Sequence, residues 1–129
     1  AAGIDVCGHI IIGLPGERRV DFLNTVKFIS TLGVWGIKFH QLEVVKDTPL
    51  EEMYNRGKLK LLSLEQYIKI VVECLEVLPP DVVIHRLIGE TPAEKLVAPR
   101  WGASKLQGIN LIERFMTEKN TRQGAGRRE

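Results

Sequence analysis

The chain has 129 residues, of which 44% are hydrophobic and 26% charged, and this composition excludes an intrinsically disordered protein. Its apolar runs are far shorter than the roughly 20 residues that span a bilayer, so we expect no membrane partner, and no signal peptide is recognisable. Cys7 and Cys74 lie far apart and form no zinc-type spacing. We therefore expect two small buried thiols in a cytoplasmic protein.

The formal net charge of +2 comes from the C-terminus. Residues 118–129 carry four basic and two acidic side chains, and the rest of the chain is neutral. We therefore predict a folded unit over residues 1–120 and a basic, flexible tail over residues 121–129. A neutral body argues against a nucleic-acid-binding face. A solvated terminus is the simpler interpretation of the tail, and an RNA-contacting arm is the alternative.

Strands and helices alternate along the chain. The predicted elements are a strand at 6–13, helix at 19–32, strand at 37–42, short helix at 49–57, helix at 64–78, strand at 81–87, short helical piece at 93–97 and helix at 104–118. The first strand is apolar at almost every position, which is typical of a parallel sheet covered on both faces. The pattern predicts an α/β fold of about three parallel strands with flanking helices. A complete (β/α)₈ barrel needs about 250 residues, so this is about half of one.

The turn Gly13-Leu14-Pro15-Gly16-Glu17 follows the first strand and precedes a helix. Glycines at the carboxyl end of a strand let the backbone approach a ligand, and the helix start supplies unpaired N–H groups. The turn matches neither GxGxxG nor a P-loop. A plain strand-to-helix turn remains the competing interpretation.

Polar residues inside the predicted strands are the other candidates. Alternation places Lys38, His40 and Leu42 on one face of the second strand, which in a barrel would be the lumen. His85 and Arg86 end the third strand, where α/β folds bind ligands. Lys38, His85 and Arg86 are therefore candidates for contact with a substrate. A histidine that is simply hydrogen-bonded in the core or at its rim is the alternative for His40, and no catalytic residue can be assigned.

Five sequence segments, in the same order along the chain, resemble the radical S-adenosylmethionine (radical SAM) superfamily. Residues 9–17, His-Ile-Ile-Ile-Gly-Leu-Pro-Gly-Glu, resemble its fifth-strand segment, and residues 36–50 resemble the next strand and loop. The segments at 63–67, 78–87 and 97–101 extend the likeness to about Asn120. Together they resemble the YhcC-type, uncharacterised branch of the superfamily. The resemblance implies the C-terminal half of a partial (β/α)₆ TIM-like barrel, with a C-terminal extension.

This resemblance implies that the full-length parent uses S-adenosylmethionine and a [4Fe–4S] cluster. The family holds the cluster with CxxxCxxC, which this chain lacks, so no cluster, cofactor or metal ion is expected on the chain alone. By matching positions, the resemblance implies cofactor contacts for Ile12 through Glu17, and more weakly for His40 and Leu42. The residues so implied are Ile12, Gly13, Leu14, Pro15, Gly16, Glu17, His40 and Leu42. Against the family motif GxIxGxxE, Gly13 comes five positions after Gly8 instead of four, and Glu17 comes four after Gly13 instead of three.

The expected partner is the missing N-terminal half of the barrel. We expect a fragment that is inactive alone and self-associates, because a half-barrel leaves strand edges unpaired. A non-enzymatic association module is the alternative. A barrel enzyme of the aldolase or phosphate-binding type is disfavoured, because neither a Schiff-base lysine signal nor a phosphate loop is present.

Overall fold

A computed structural model describes residues 5–126, and it forms two sheets and four helices over that range. In chain order the elements are β1 (Cys7–Ile12), α1 (Arg19–Ser30), β2 (Gly36–Gln41), β3 (Val44–Val45), α2 (Pro49–Asn55), α3 (Leu64–Val77), β4 (Val83–Arg86), β5 (Leu96–Ala98) and α4 (Lys105–Lys119). The predicted elements are present except at residues 93–97, and β3 and β5 were not foreseen.

The main sheet has the order β1-β2-β4, with all strands parallel. β1 and β2 pair in continuous register from Cys7 opposite Gly36 to Ile12 opposite Gln41. β2 pairs with β4 through Ile37 and Ile84, and the register then shifts. This confirms the predicted α/β class with three parallel strands and flanking helices. Within the described chain β1 has a single neighbour and is therefore an edge strand.

The main hydrophobic core lies between one face of this sheet and the helices. Ile10 and Ile12 of β1, and Ile37 and Phe39 of β2, are nearly inaccessible to solvent. They belong to one cluster with the apolar residues of α1, α3 and α4. α3 is buried around most of its circumference, because it contacts both α1 and α4 as well as the core. The opposite face of the sheet is left open.

Local sequence determines where the helices begin. Ser63 accepts a hydrogen bond from the Gln66 N–H at 3.1 Å, and the Gln66 side chain bonds back to the Ser63 N–H, which is a capping box. Ser104 and Gln107 repeat the same arrangement at α4. α1 ends at Ser30, two residues before the predicted end, and Gly33 follows in the left-handed region at φ +68°.

The prediction of a short helix at residues 93–97 is wrong. Residues 93–95 form a turn, in which the Lys95 N–H bonds to the Pro92 carbonyl at 2.9 Å. β5 then pairs antiparallel with β3, so that Val44 lies opposite Ala98. The pairing buries both residues in a second cluster, and this tertiary contact outweighs a single turn of helix.

Residues 121–126, the first part of the predicted tail, bond to the C-terminal end of α3. The N–H groups of Gly124 and Gly126 donate to the carbonyls of Leu75 and Glu76 at 3.0 and 2.9 Å. The Gln123 side-chain amide donates to the carbonyls of Pro79 and Val82, at 2.7 and 2.8 Å. Residues 127–129, the rest of the predicted tail, lie outside the described residues.

Within residues 5–126, no helix combines the length and apolar character that crossing a membrane requires.

Candidate functional site

The turn after β1 has the geometry of an exposed backbone loop. Gly13 and Gly16 have φ values of +106° and +82°, which L side chains rarely adopt. The Glu17 N–H closes the turn on the Leu14 carbonyl at 3.1 Å. A Cβ at Gly16 would meet nothing within 4 Å, whereas one at Gly13 would contact Leu62 and Leu42. The backbone at Gly16 is therefore open to a ligand.

The open face of the main sheet carries several of the predicted polar residues. Lys38 lies beside His9, and His40 lies beside Ile11, because these pairs are in register across β1 and β2. Ile11, which the sequence did not single out, is 44% exposed. It faces the side that a closed barrel would enclose, and the predicted lumen face is thus a continuous surface.

A small hollow lies along the edge of β1, beside the turn and α1. Its volume is about 220 Å³, and its lining includes Ile11 of the open face, Leu14 and Glu17 of the turn, and Phe22 and Thr25 of α1. The hollow therefore adjoins both the turn and the open face, at the edge of the sheet.

Two of the residues implied by resemblance have buried side chains. Ile12 is fully buried in the main core, on the helix side of the sheet. Leu42 lies past the end of β2, is 8% exposed and packs in the second cluster with Val44. Since the side chains are enclosed, any ligand contact at Ile12 or Leu42 falls to the backbone.

His85 lies on the open face but towards the amino end of the sheet. Its ring is 4.8 Å from the Trp35 ring between centroids, and a Cβ at Gly36 would lie 2.5 Å from it. Arg86 is paired with Lys38 after the register shift. The structure thus places His85 away from the turn, whereas His40 lies at the carboxyl end of the sheet, where the turn also lies.

A polar cluster that the sequence analysis missed lies at the carboxyl end of β2. Gln41 is buried and exchanges two hydrogen bonds with the Gly89 backbone. Glu43 accepts a hydrogen bond from the Thr91 hydroxyl at 2.8 Å. The signal for Gln41 was present, since it follows Ile37 and Phe39 at the core-facing spacing of two. Glu43 lies beyond the strand, where alternation no longer applies.

His40 joins this cluster. Its Nδ1 lies 2.6 Å from the Gln41 carbonyl oxygen, and its Nε2 lies 3.5 Å from Glu43 Oε1. The ring covers Gly89, where a Cβ would overlap it. His40 therefore contacts both β2 and the loop that follows β4.

A cavity of about 750 Å³ opens beside the polar cluster. Its walls come from the end of β2, the loop after β4 and the start of α4. Glu43, Gly89, Thr91 and Trp101 are among its lining residues. The volume is within the usual range for small-molecule sites.

Tyr67 and Cys74, both buried in α3, are held in their neutral forms. Burial, followed by the nearby Cys74 and Glu43, raises the pKa of Tyr67, whose hydroxyl donates to the Leu87 carbonyl at 2.6 Å. Burial raises the pKa of Cys74 to about 12, with a smaller contribution from Glu73. A buried thiol that stays protonated is a poor nucleophile and a poor metal ligand.

The described residues do not fit an iron–sulfur cluster. Over residues 5–126, no three His, Cys, Asp or Glu side chains come together as a metal-binding group. Cys7 is in β1 and Cys74 in α3, and both are free thiols. The turn, by contrast, fits a ligand that contacts backbone, because Gly16 leaves open space.

Comparisons with known proteins identify the family. Residues 34–118 match the Radical_SAM C-terminal domain family. The chain is 38% identical over 122 residues to the uncharacterised protein YtqA of Bacillus subtilis, which covers 95% of this chain and 38% of YtqA. It is 34% identical over 116 residues to protein YhcC of Escherichia coli, with 90% and 38% covered. The chain thus spans well under half the length of these relatives.

The fold is similar to that of a solved archaeal protein, Elp3. The structure of Methanocaldococcus infernus Elp3 with an N-terminal deletion superposes with a TM-score of 0.74 at 23% identity. The match covers 94% of this chain and 28% of Elp3. The likeness supports a partial barrel.

Both the expected superfamily and the expected branch are confirmed. Since the family match spans well over half of its residues, the chain belongs to the Radical_SAM C-terminal domain family, in the branch that contains YtqA and YhcC.

Proposed function

We propose that this chain forms the C-terminal part of a radical SAM oxidoreductase and contributes one wall of the cofactor and substrate cavity. The observation that carries the proposal is the exposed turn with left-handed Gly13 and Gly16, which adjoins the open face of the sheet. Family membership supports it, since radical SAM proteins use S-adenosylmethionine. We place the protein in the cytoplasm.

In this proposal the turn holds the adenosine end of S-adenosylmethionine. The adenosine would lie close against the backbone from Gly13 to Gly16, and the exposed side chains of Leu14 and Ile11 would contact its apolar surface. When bound beside a [4Fe–4S] cluster, the cofactor supplies a carbon radical that abstracts hydrogen. Lys38 and His40, on the same face, would contact the substrate or the ribose, whereas His85 and Arg86 would contact only a substrate that extends along the sheet.

We propose that the [4Fe–4S] cluster binds to the N-terminal part of the barrel, outside this chain. The described residues offer no site for it, so the chain alone is expected to be inactive.

A matched pair of glycines tests the cofactor role. Gly16 and Gly33 both have positive φ and both leave a Cβ in open space, so valine strains the backbone similarly at each. Only Gly16 lies at the carboxyl end of the sheet. In the full-length parent, we expect Gly16→Val to weaken S-adenosylmethionine binding about tenfold or more by calorimetry, and Gly33→Val to leave it unchanged. Equal affinity in two folded variants would remove the proposed role of the turn.

A second candidate function, an association module, is favoured by the edge position of β1. Its outer backbone groups have no partner strand among the described residues, and apolar side chains on or next to the sheet are exposed. These side chains are Val6, Ile11, Trp35 and Val83. We propose that the N-terminal half of the barrel covers this surface, and that isolated chains pair through it.

A further inference from the structure

The 750 Å³ cavity beside the polar cluster is not used by the proposed cofactor role. Glu43, Thr91 and Trp101 line it, and every other lining residue also belongs to this chain. An inference about its ligand goes beyond the proposed function and does not depend on it.

Glu43 is the buried charge of this cavity. Its side chain is 6% exposed. Its hydrogen bond from Thr91 and its approach to His40 both use the same oxygen, Oε1. A buried carboxylate is costly unless it is paired and hydrogen-bonded. One hydroxyl bond does not balance a full negative charge.

His40 balances that charge only in its protonated form. Its Nδ1 is 2.6 Å from the Gln41 carbonyl oxygen, so this nitrogen carries a hydrogen. In the neutral ring, Nε2 then presents a lone pair towards Glu43 Oε1, 3.5 Å away. Two acceptors face each other in that form. Glu43 Oε2 takes no hydrogen bond from the described residues, and it is not enclosed, since no buried side-chain oxygen or nitrogen among them lacks a partner. A cationic group in the cavity can therefore reach it.

The remaining surroundings favour a positive ligand group over a negative one. Glu90 and Lys105 line the cavity with exposed side chains of opposite charge, which offset each other, and Trp101 adds an aromatic ring, which attracts cations. The Trp101 indole N–H is bonded to the Leu62 carbonyl at 3.1 Å, which fixes the ring. Arg100 also lines the cavity, but its guanidinium donates to the carbonyls of Ala93 and Leu96. Lys105, at the start of α4, is exposed.

We propose that Glu43 is a ligand-binding residue, and that this cavity binds a small molecule through a cationic primary amine. Thr91 and His40 hold the carboxylate in position at Oε1. The ligand's ammonium group donates to the carboxylate from the cavity side. The aliphatic part of the ligand packs against the apolar wall, to which Ile88 and Leu64 belong.

The test uses the 129-residue chain, labelled with ¹⁵N, and two probes of equal shape. n-Butylammonium carries the charge, and 1-butanol is its neutral counterpart. We expect saturable shifts of the Gly89 and Thr91 amide signals with n-butylammonium, and about tenfold weaker binding of 1-butanol. This comparison needs no variant, so it stands even where a substitution unfolds the chain. Equal binding of the two probes, or no shift with either, would overturn the proposal.

Two variants then assign the site to its carboxylate. Glu43→Gln keeps the shape and removes the charge, and we expect it to weaken n-butylammonium binding about tenfold. Glu90→Gln makes the same charge change at an exposed position of the same cavity, and we expect an effect of less than about twofold. Amide spectra establish that each variant is folded. Undiminished binding by a folded Glu43→Gln chain would contradict the assignment.

Discussion

Gln41 and Gly89 exchange two hydrogen bonds across 48 positions of sequence. The Gln41 amide nitrogen donates to the Gly89 carbonyl at 2.9 Å, and the Gly89 N–H donates to the Gln41 Oε1 at 2.8 Å. Both residues are buried. A side chain thus replaces the backbone of a neighbouring strand, and it fixes the loop after β4 against the end of β2.

We expect Gln41→Leu to lower the free energy of unfolding by about 2–4 kcal/mol. Leucine fits the volume but leaves a buried N–H and a buried carbonyl without partners, each costing about 1–3 kcal/mol. Urea denaturation followed by circular dichroism measures the change. Gln107→Leu is the control, since it removes a bond at an exposed helix cap and should cost about 1 kcal/mol. Similar losses in the two variants would show that the Gln41 contacts add nothing beyond a surface bond.

Iron reconstitution tests where the cluster belongs. After anaerobic treatment with iron and sulfide, we expect the isolated chain to hold no stoichiometric [4Fe–4S] cluster, because Cys7 and Cys74 lie on separate elements. The measurements are the iron content per chain and the visible absorption of the thiolate-to-iron charge-transfer bands. About four irons per chain, lost on replacing either cysteine by alanine, would refute this expectation.

Self-association is expected for the isolated chain. α4 packs against α3 on the helix side, and Ile112 belongs to the main core, so the helices leave the open face of the sheet uncovered. Light scattering over a range of concentrations should give a mass above that of one chain. We expect Ile11→Glu to shift the population towards monomer, because it puts a charge on the exposed face of the edge strand.

The matched control for that variant is Phe28→Glu. Phe28 is 64% exposed on α1, away from the open face, so the same change there should leave the mass unchanged. A constant mass of one chain in the unmodified protein would reject association.

Glu76 should make the stability of the fold depend on pH. Burial raises the pKa of Glu76. Hydrogen bonds from Thr121 and Lys119, together with the charge of Lys119, lower it by more, so the pKa of Glu76 is below its usual value. A carboxyl whose pKa is lower in the folded state stabilises the fold above its unfolded pKa, about 4.3 for Glu. That stabilisation is lost as the pH falls through the folded pKa.

We therefore expect Glu76→Gln to destabilise the chain by about 1 kcal/mol at pH 7 and by less as the pH falls below about 4. Urea denaturation at several pH values measures the difference. Glu65→Gln, at an exposed i,i+4 pair with Lys69, should show little change at any pH. A constant difference between wild type and Glu76→Gln from pH 7 to pH 3 would contradict the role assigned to its charge.

The sequence predicted those parts of the molecule that depend on local patterns. Helices were predicted at residues 64–78 and 104–118, and the structure has them at Leu64–Val77 and Lys105–Lys119. An apolar run predicted β1, and the alternation of apolar and polar residues predicted β2. The two-stranded sheet of β3 and β5 could not be predicted, because strands of two and three residues show no periodicity. Their pairing depends on a contact between residues about 50 positions apart.

The candidate site was only partly predictable. The glycine turn and the alternation that puts Lys38 and His40 on one face of β2 are local features, and the structure contains both. That these residues contact a cofactor or substrate stays a prediction. The partnership of Glu43 with Thr91 needs the loop after β4 to return to β2, which no spacing in the sequence reveals. Burial of Leu42 likewise follows from the second cluster and not from strand alternation.

The segment at residues 121–126 determines where the chain tolerates being cut. Gly124 and Gly126 bond to carbonyls of the last turn of α3, which a helix otherwise leaves without partners. Gly124 has a φ of +83°, and a Cβ there would lie 2.9 Å from Pro80 Cδ, so the fit depends on the absence of a side chain. A protease site or affinity tag placed at residue 120 would separate the segment at residues 121–126 from α3. One placed after residue 126 would leave the segment in place.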